Sequence, residues 1–148
     1  MAFEAEPAAG AAFVHRLRVG WAHCDPAGIA YTGAIPGFAL EAIDAWWERH
    51  VGLDWYRLNL ERKIGTPFVH LSLDFASPVT PRHPLDCEVT LTKIGGTSVG
   101  FSVLGLQGGV KCFKGDFVCV FVQAGTMRKI PAPPDIRALI APLLAASA

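Results

Sequence analysis

One long amphipathic helix, in a chain whose other segments are mostly strand-like, is the feature that most restricts the possible folds. Pro36 stands at a helix-opening position, where its missing N–H costs nothing, and Gly52 is suited to a C-terminal cap. Between them, apolar residues recur in pairs four apart, which is the spacing of one helix face; they are Phe38, Ala39, Ala42, Ile43, Trp46 and Trp47. The two tryptophans make this face large, and other elements must cover it.

Most of the remaining chain alternates apolar and polar residues with the period of two that is typical of β-strands. The predicted strands cover residues 13–21, 69–75, 85–91, 99–103 and 110–123. Gly-Gly pairs at 95–96 and 108–109 predict hairpin turns, and Gly115-Asp116 predicts a bulge in the last strand. Residues 117–122 are apolar on both faces, which suits a central strand or one buried at a subunit contact.

A strand, a long helix and then strands joined by tight turns predict the α+β class, with an antiparallel β-sheet wrapped around one long central α-helix. Residues 54–63 are compatible with either a short helix or a structured loop, and residues 135–146 predict a terminal helix. The Ala-rich residues 1–12 predict a flexible N-terminal leader that lacks the character of a signal peptide. Residues 13–148 then form a single predicted domain.

Composition excludes several classes of function. Thirteen basic and thirteen acidic side chains cancel, so no overall field draws the protein to nucleic acid or to an anionic membrane. No apolar stretch reaches eighteen residues, so no membrane span is expected. The hydrophobic fraction of 51% is high for one small domain and suggests apolar surface buried between subunits. Four cysteines without a C-x-x-C pair predict reduced thiols in a cytoplasmic protein.

The segment from Trp21 to Tyr31 carries the strongest functional signal. It connects the first predicted strand to the long helix and contains Asp25, whose neighbours from Pro26 to Ala30 carry no compensating charge. An acid in such a loop is either a turn-former, because Asp-Pro favours turns, or a catalyst. His23 lies two residues before Asp25, and we interpret it as a loop residue in preference to a partner of the acid.

Other chemical motifs are missing or misleading. Residues 96–100 match G-x-S-x-G, but that nucleophile motif requires a strand followed by a helix. Here a strand pattern continues after the match, so Ser98 is predicted to be a hairpin residue. The five histidines show no metal-ligand spacing, and no Gly-rich phosphate loop precedes a helix. We therefore expect no metal and no cofactor.

The run Asp25-Pro26-Ala27-Gly28-Ile29 resembles the signature of the hotdog-fold acyl-CoA thioesterases, specifically the 4-hydroxybenzoyl-CoA thioesterase type. Two further blocks, residues 65–69 and residues 71–78 followed by 85–91, resemble family segments in the same order. The resemblance covers about residues 13–127. It implies a hotdog fold, hydrolysis of a CoA thioester, and a homodimer, often doubled to a homotetramer, with its sites at the subunit interface.

The resemblance also implies roles for particular residues. Asp25 is the expected catalytic carboxylate, acting as nucleophile or as base for a water, and the backbone N–H of Tyr31 or Thr32 is expected to bind the thioester carbonyl oxygen. The expected substrate-binding residues are Ile35, Phe38, Thr66 and Pro67. Surface bases meet the phosphates of CoA in such proteins, and Arg82, Lys93 and Arg128 are the candidates here.

Departures from the family pattern bear on the acyl group. Ala34 and Ile35 stand where family members usually have a polar residue followed by Tyr, and Leu40 falls where the hydroxybenzoyl enzyme places an acid. An apolar pocket of this kind favours an unsubstituted aryl group or a medium aliphatic chain. Two alternatives remain open from the sequence: a hotdog hydratase or dehydratase acting on an enoyl thioester, and a non-catalytic acyl-CoA-binding protein.

Overall fold

The computed structural model describes residues 12–145. Its strands are β1 (Phe13–Leu17), β2 (Ile64–Gly65), β3 (Phe68–Phe75), β4 (Leu85–Ile94), β5 (Ser98–Gln107), β6 (Val110–Val120), β7 (Val122–Gln123) and β8 (Arg128–Lys129). Its α-helices are α1 (Ile35–Val51), α2 (Trp55–Arg62) and α3 (Pro134–Ile140). Short 3-10 turns cover Trp21–His23, Thr32–Ala34 and Ala141–Leu143. The predicted leader lies outside the described residues, apart from Ala12.

Five strands form one antiparallel sheet in the order β1-β4-β5-β6-β3, and β2, β7 and β8 form a small second sheet. Helix α1 lies on one face of the large sheet, where it packs against β1, β4 and β5 and also contacts α3. The predicted α+β architecture, an antiparallel sheet wrapped around one long helix, is therefore confirmed. No helix within residues 12–145 is long and apolar enough to cross a membrane.

The long helix forms where its sequence predicts it. Pro36 lies in its first turn, and Gly52 ends it with a left-handed φ of 85°, a conformation that costs glycine little. Trp46 and Trp47 are almost completely buried. The ring of Phe101 lies edge-on to both, with centroid distances of 4.9 and 6.1 Å, so the aromatic face of α1 fixes the helix to the centre of the sheet.

Several local predictions are now settled or corrected. Residues 55–62 form a helix, because the Asp54 side chain accepts a hydrogen bond from the Arg57 N–H and caps it. The first strand ends at Leu17 and not at residue 21, and a 3-10 turn follows. Ser98 begins β5 directly after a hairpin, so the hairpin interpretation of G-x-S-x-G is confirmed. The terminal helix ends at residue 140, and a 3-10 turn follows it.

The predicted bulge at Gly115-Asp116 is wrong. Gly115 keeps regular register with both neighbouring strands. Glycine is needed there because a Cβ would lie 2.5 Å from a Leu73 side-chain carbon and 2.7 Å from the Ser72 carbonyl oxygen. The residue therefore marks a close approach of β3 and not an extra residue. Most of residues 117–122 belong to β6, which lies inside the sheet between β5 and β3. Of the two predicted explanations for this apolar segment, a central strand or a subunit contact, the structure shows the central strand.

The sheet has two ends that matter for function. At one end, β1 finishes at Leu17, opposite Leu85 at the start of β4. The same end contains the β5–β6 hairpin and Phe75, the last residue of β3. We call this the site end, because the loop from β1 to α1 leaves from it. The opposite end contains the β4–β5 hairpin and Lys93. Eight residues at about 3.3 Å each place Lys93 roughly 26 Å along β4 from Leu85.

Candidate active site

The loop that contains Asp25 is held by its own backbone. The Asp25 N–H donates to the Ile29 carbonyl oxygen at 3.0 Å, and Cys24 forms an antiparallel bridge with Ala30. Gly28 makes the tight turn possible, since its φ is 79° and its N–H donates to the Asp25 carbonyl oxygen at 2.9 Å. The loop is therefore a narrow hairpin with Asp25 beside Ile29.

The Asp25 carboxylate is partly buried and makes one local contact. Its Oδ1 accepts a hydrogen bond from the Ala27 N–H at 2.8 Å, which is the turn-forming bond of an Asp-Pro sequence. No other hydrogen bond to this carboxylate is formed by the described residues. One oxygen thus fixes the side chain to the loop, while Oδ2 keeps its lone pairs for another partner.

Two backbone N–H groups at the beginning of the helical segment have no acceptor among the described residues. Within residues 12–145, neither the Thr32 nor the Gly33 amide donates a hydrogen bond to the protein, as is usual for the first amides of a helix. The Tyr31 amide differs, because it donates to the His23 carbonyl oxygen at 3.0 Å. This corrects the prediction for Tyr31: of the two amides expected to bind a carbonyl oxygen, Thr32 is the one that is available.

An apolar cavity of about 290 Å³ adjoins this helix start. Its walls come from the Asp25 loop, from α1 and from the segment that follows β3; they include Ile29, Thr32, Ile35, Phe75, Ser77 and Val79. The loop is joined to the far wall by a hydrogen bond of 2.7 Å from the Ala30 N–H to the Val79 carbonyl oxygen. Ile29 and Thr32 are at most about 11 Å apart along the chain, so the carboxylate loop, the free amides and the cavity form one region.

Of the predicted substrate-binding residues, only Ile35 lines this cavity. Phe38 points to the other side of the loop, where its ring lies edge-on to that of His23 with centroids 4.9 Å apart. His23 is held there, since its Nδ1 accepts the Gly20 N–H at 3.0 Å. This arrangement agrees with His23 as a loop residue. Phe38 therefore does not line this cavity; it lines a second one, of about 350 Å³, together with Gly33 and Ala34.

Thr66 and Pro67 lie far from the cavity within one chain. They precede β3, whose opposite end carries the cavity residue Phe75. Seven residues at about 3.3 Å each separate the two ends of β3 by roughly 23 Å. Within one chain, Thr66 and Pro67 therefore do not line the cavity.

The three candidate cations for CoA lie at different ends of the sheet. Arg82 is exposed on the site-end loop between β3 and β4. Lys93 is at the opposite end of β4. Arg128 is exposed on β8, which pairs with β7. Because β7 follows the end of β6 that pairs with Ser98, Arg128 also lies away from the site end. One ligand phosphate cannot contact Arg82 and Lys93 together.

The buried cysteines are poor nucleophiles. Burial raises the pKa of the Cys87 thiol and of the Cys119 thiol to about 12, so both are protonated near neutral pH. Burial also raises the pKa of the Cys112 thiol. All four cysteines are free. The carboxylate of Asp25 is therefore a stronger candidate for chemistry than these three thiols.

A long helix wrapped by an antiparallel sheet defines the class of hotdog-fold proteins, and this chain has that architecture. The sequence model of the thioesterase-like superfamily matches residues 19–140, and the chain belongs to that superfamily. By class it is a thioester hydrolase. No significant match was found among curated proteins.

Solved structures agree with this assignment. A thioesterase-superfamily protein from Jannaschia sp. CCS1 is 52% identical, with a TM-score of 0.89 over 97% of this chain and 100% of that chain. A 1,4-dihydroxy-2-naphthoyl-CoA thioesterase from Synechocystis is 20% identical, with a TM-score of 0.79 over 88% of this chain and 96% of that one. A DHNA-CoA thioesterase from Staphylococcus aureus is 13% identical, with a TM-score of 0.80 over 88% and 89%. The last two similarities concern the fold alone.

Proposed function

We propose that this protein is an acyl-CoA thioesterase that hydrolyses an aryl or medium-chain acyl-CoA to a free acid and CoA. The observation that supports the proposal is that the Asp25 loop continues through Ile29 into the wall of the apolar cavity, which Thr32 also lines. The four free cysteines support a reducing compartment such as the cytoplasm.

In the proposed reaction, Asp25 acts through Oδ2 while Oδ1 stays bonded to the Ala27 N–H. Either Oδ2 attacks the thioester carbonyl carbon and the resulting anhydride is hydrolysed, or it takes a proton from a water that attacks the same carbon. Both routes consume one water, break the C–S bond and release a thiolate, which is a good leaving group. The two roles considered for Asp25, nucleophile and base, therefore give the same products.

The Thr32 amide is the proposed donor to the carbonyl oxygen. This oxygen gains negative charge as the tetrahedral intermediate forms, and a fixed N–H at a helix start stabilises that charge without reorganisation. The Gly33 amide, which also lacks a protein acceptor within the described residues, is available as a second donor. Two adjacent amides are the common composition of an oxyanion site.

The cavity supports the choice of acyl group. A cavity of about 150 Å³ lined by aliphatic and aromatic side chains holds benzene, so about 290 Å³ accommodates a substituted ring or a chain of medium length. Ile35 and Val79 are buried apolar walls. The lining carries no charged side chain, which favours an uncharged acyl group.

The proposed assembly is a homodimer formed through β3, with a homotetramer as its doubled form. β3 is an edge strand, and Leu71 and Phe75 on it are 42% and 55% exposed. Their register partners Phe117 and Phe113 are buried, so these side chains lie on the helix side of the sheet. An exposed apolar edge strand is a template for pairing with another chain, and a second copy offers the same surface.

Such a dimer would also explain the position of Thr66 and Pro67. Antiparallel pairing about the middle of β3 places residue 68 of one copy opposite residue 75 of the other. The partner subunit's Thr66 and the partner subunit's Pro67 would then lie beside Phe75 at the cavity. The expected substrate-binding role of these two residues is thus compatible with the fold if they act across the interface.

The function is tested by incubating the purified protein with a panel of aryl and aliphatic acyl-CoA thioesters. Loss of the thioester ultraviolet absorbance and release of free CoA are both followed, with crotonyl-CoA included to detect hydration. We expect hydrolysis to be fastest for benzoyl-CoA or for chains of about six carbons. Hydration of crotonyl-CoA without thiol release would favour the hydratase alternative. Calorimetric binding of acyl-CoA without turnover of any member would favour a non-catalytic binding protein.

A further inference from the structure

A second cleft, of about 370 Å³, lies at the site end of the sheet outside the acyl cavity. Its basic side chains come from two segments that are distant in sequence. Arg16 and Arg18 belong to β1 and the residues after it, and Arg82 and His83 belong to the loop between β3 and β4. In a chain with no net charge, three arginines and a histidine in one cleft form a local concentration of positive charge.

Asp86 is the acidic residue that balances part of this charge. It pairs with Arg16 through two hydrogen bonds of 2.7 and 3.1 Å, and this contact lowers the pKa of the Asp86 carboxyl. Within the described residues, Arg18 and Arg82 form no ion pair. The cleft therefore presents two guanidinium groups without a carboxylate partner, next to the ring of His83.

The loop that carries Arg82 and His83 is fixed by Gln107, a buried polar residue near the end of β5. The Gln107 side-chain oxygen accepts the Thr80 N–H at 2.9 Å, and its nitrogen donates to the carbonyl oxygens of Thr80 and His83 at 2.7 and 2.8 Å. A further bond of 3.2 Å joins the Arg82 N–H to the Thr80 hydroxyl. Prolines 81 and 84 restrict the same segment. The two basic side chains thus project from a rigid backbone, so less entropy is lost when they bind an anion.

This loop also reaches the proposed catalytic region. Val79 is a wall of the acyl cavity and accepts the Ala30 N–H from the Asp25 loop. His83 follows Val79 by four positions, so the acyl cavity and the basic cleft are at most about 14 Å apart along this segment. A ligand with an apolar end and an anionic end, joined by an extended arm, matches this arrangement.

We propose that the cleft formed by Arg18, Arg82 and His83 binds phosphate groups of the substrate's thiol carrier, with Gln107 as the positioning residue of the loop. This inference rests on the proposed thioesterase function. Planar guanidinium groups bind phosphate oxygens through paired N–H donors. The shared chemistry is a phosphate on a pantetheine arm, which occurs in free CoA and in a carrier protein.

The first test is direct binding to the full chain by isothermal titration calorimetry, with CoA, 4′-phosphopantetheine and pantetheine as probes. Arg18→Gln and Arg82→Gln should each weaken CoA binding on the order of tenfold, as expected for a lost charge-assisted hydrogen bond, and leave pantetheine binding unchanged. If 4′-phosphopantetheine weakens in parallel, the cleft binds the phosphate that CoA shares with carrier proteins. If only CoA weakens, the cleft binds the nucleotide phosphates. Lys63→Gln, an exposed change next to β2, is the matched control and should not alter any of the three.

The second test uses turnover and separates positioning from general damage. Arg18→Gln, Arg82→Gln and Gln107→Met should each raise KM for the preferred acyl-CoA about tenfold. Their kcat should stay within twofold, and their KM for the N-acetylcysteamine thioester of the same acyl group, which has no phosphate, should not change. A Gln107→Met variant that merely destabilised the protein would lose kcat on both substrates.

Two results would overturn the proposal. One is unchanged CoA affinity in both arginine variants. The other is a CoA effect in Lys93→Gln or Arg128→Gln, at the opposite end of the sheet, with none in the cleft variants. Calorimetry measures binding without turnover. If the wild-type protein binds CoA but hydrolyses no thioester, and the arginine variants lose CoA binding, the phosphate cleft is supported and only the thioesterase function is refuted.

Discussion

Replacing Thr32 by proline should remove the proposed oxyanion donor with little effect on the fold. Thr32 opens a 3-10 turn, and its N–H donates to no acceptor in residues 12–145. The residue before it, Tyr31, has φ −70° and ψ 152°, which lies in the region that a residue preceding proline prefers. Proline at the first position of a helix is favourable, so the free energy of unfolding should change by less than about 1 kcal/mol.

The catalytic cost should be much larger than the structural one. Loss of one such donor typically lowers kcat by about 10²–10³, which is roughly 2.7–4 kcal/mol of transition-state stabilisation. We expect Thr32→Pro to lower kcat by that factor with KM nearly unchanged. Thr32→Val is the matched control, because it loses the hydroxyl and keeps the amide; it should retain kcat within about threefold.

The assay is hydrolysis of the preferred acyl-CoA, followed by loss of the thioester absorbance. Thermal denaturation of the same samples separates loss of catalysis from loss of folding. Folded Thr32→Pro with kcat within fivefold of the wild type would show that the Thr32 amide is not the oxyanion donor. A Thr32→Val variant that lost as much kcat as Thr32→Pro would show the same.

Three further predictions follow from the same geometry. Leu71→Asp, on the exposed edge strand, should give monomers in light scattering and abolish turnover. Leu60→Asp, at a similarly exposed position on α2, is the control and should do neither. A Leu71→Asp variant that stayed dimeric would contradict the proposed interface. With pKa values of about 12, Cys87 and Cys119 have a thiolate fraction near 10⁻⁴ at pH 8. Iodoacetamide should therefore label Cys24 first, as detected by mass spectrometry. Fast labelling of Cys87 or Cys119 would contradict their burial in the core. Arg16 lowers the pKa of Asp86 in the folded state. The pair therefore stabilises the protein above the unfolded pKa of about 3.9, and this stabilisation is lost as the pH falls through the folded pKa. Asp86→Asn should make the melting temperature depend less on pH in the acid range, and an unchanged dependence would show that the pair contributes nothing.

The sequence predicts the framework well because its signals are local. The paired apolar spacing from Phe38 to Trp47 and the cap at Gly52 determine α1, and the period-two segments determine β3, β4 and β5. The position of the Asp25 loop between the first strand and this helix also follows from the sequence alone.

The errors arise where contacts between distant segments decide the outcome. The Tyr31 amide is occupied because the loop pairs with itself at His23, and Gly115 is required by the packing of Leu73, not by a bulge. The role of Gln107 has no signal in its own strand, where it is one polar residue among alternating ones. Its partners at Thr80 and His83 become neighbours only after the β4–β5 pairing brings the loop and the hairpin together.

The most direct test of the account compares Asp25→Asn with Asp25→Ala. The Asn side chain keeps an oxygen that accepts the Ala27 N–H and so preserves the turn, whereas Ala removes both the turn bond and the carboxylate. If Asp25 is the catalytic group, both variants lose hydrolysis of the preferred acyl-CoA by more than about 10³, and only Asp25→Ala also loses thermal stability. If Asp25→Asn retains activity within about tenfold while Asp25→Ala loses it by unfolding, Asp25 is a turn-former and the proposed mechanism is wrong.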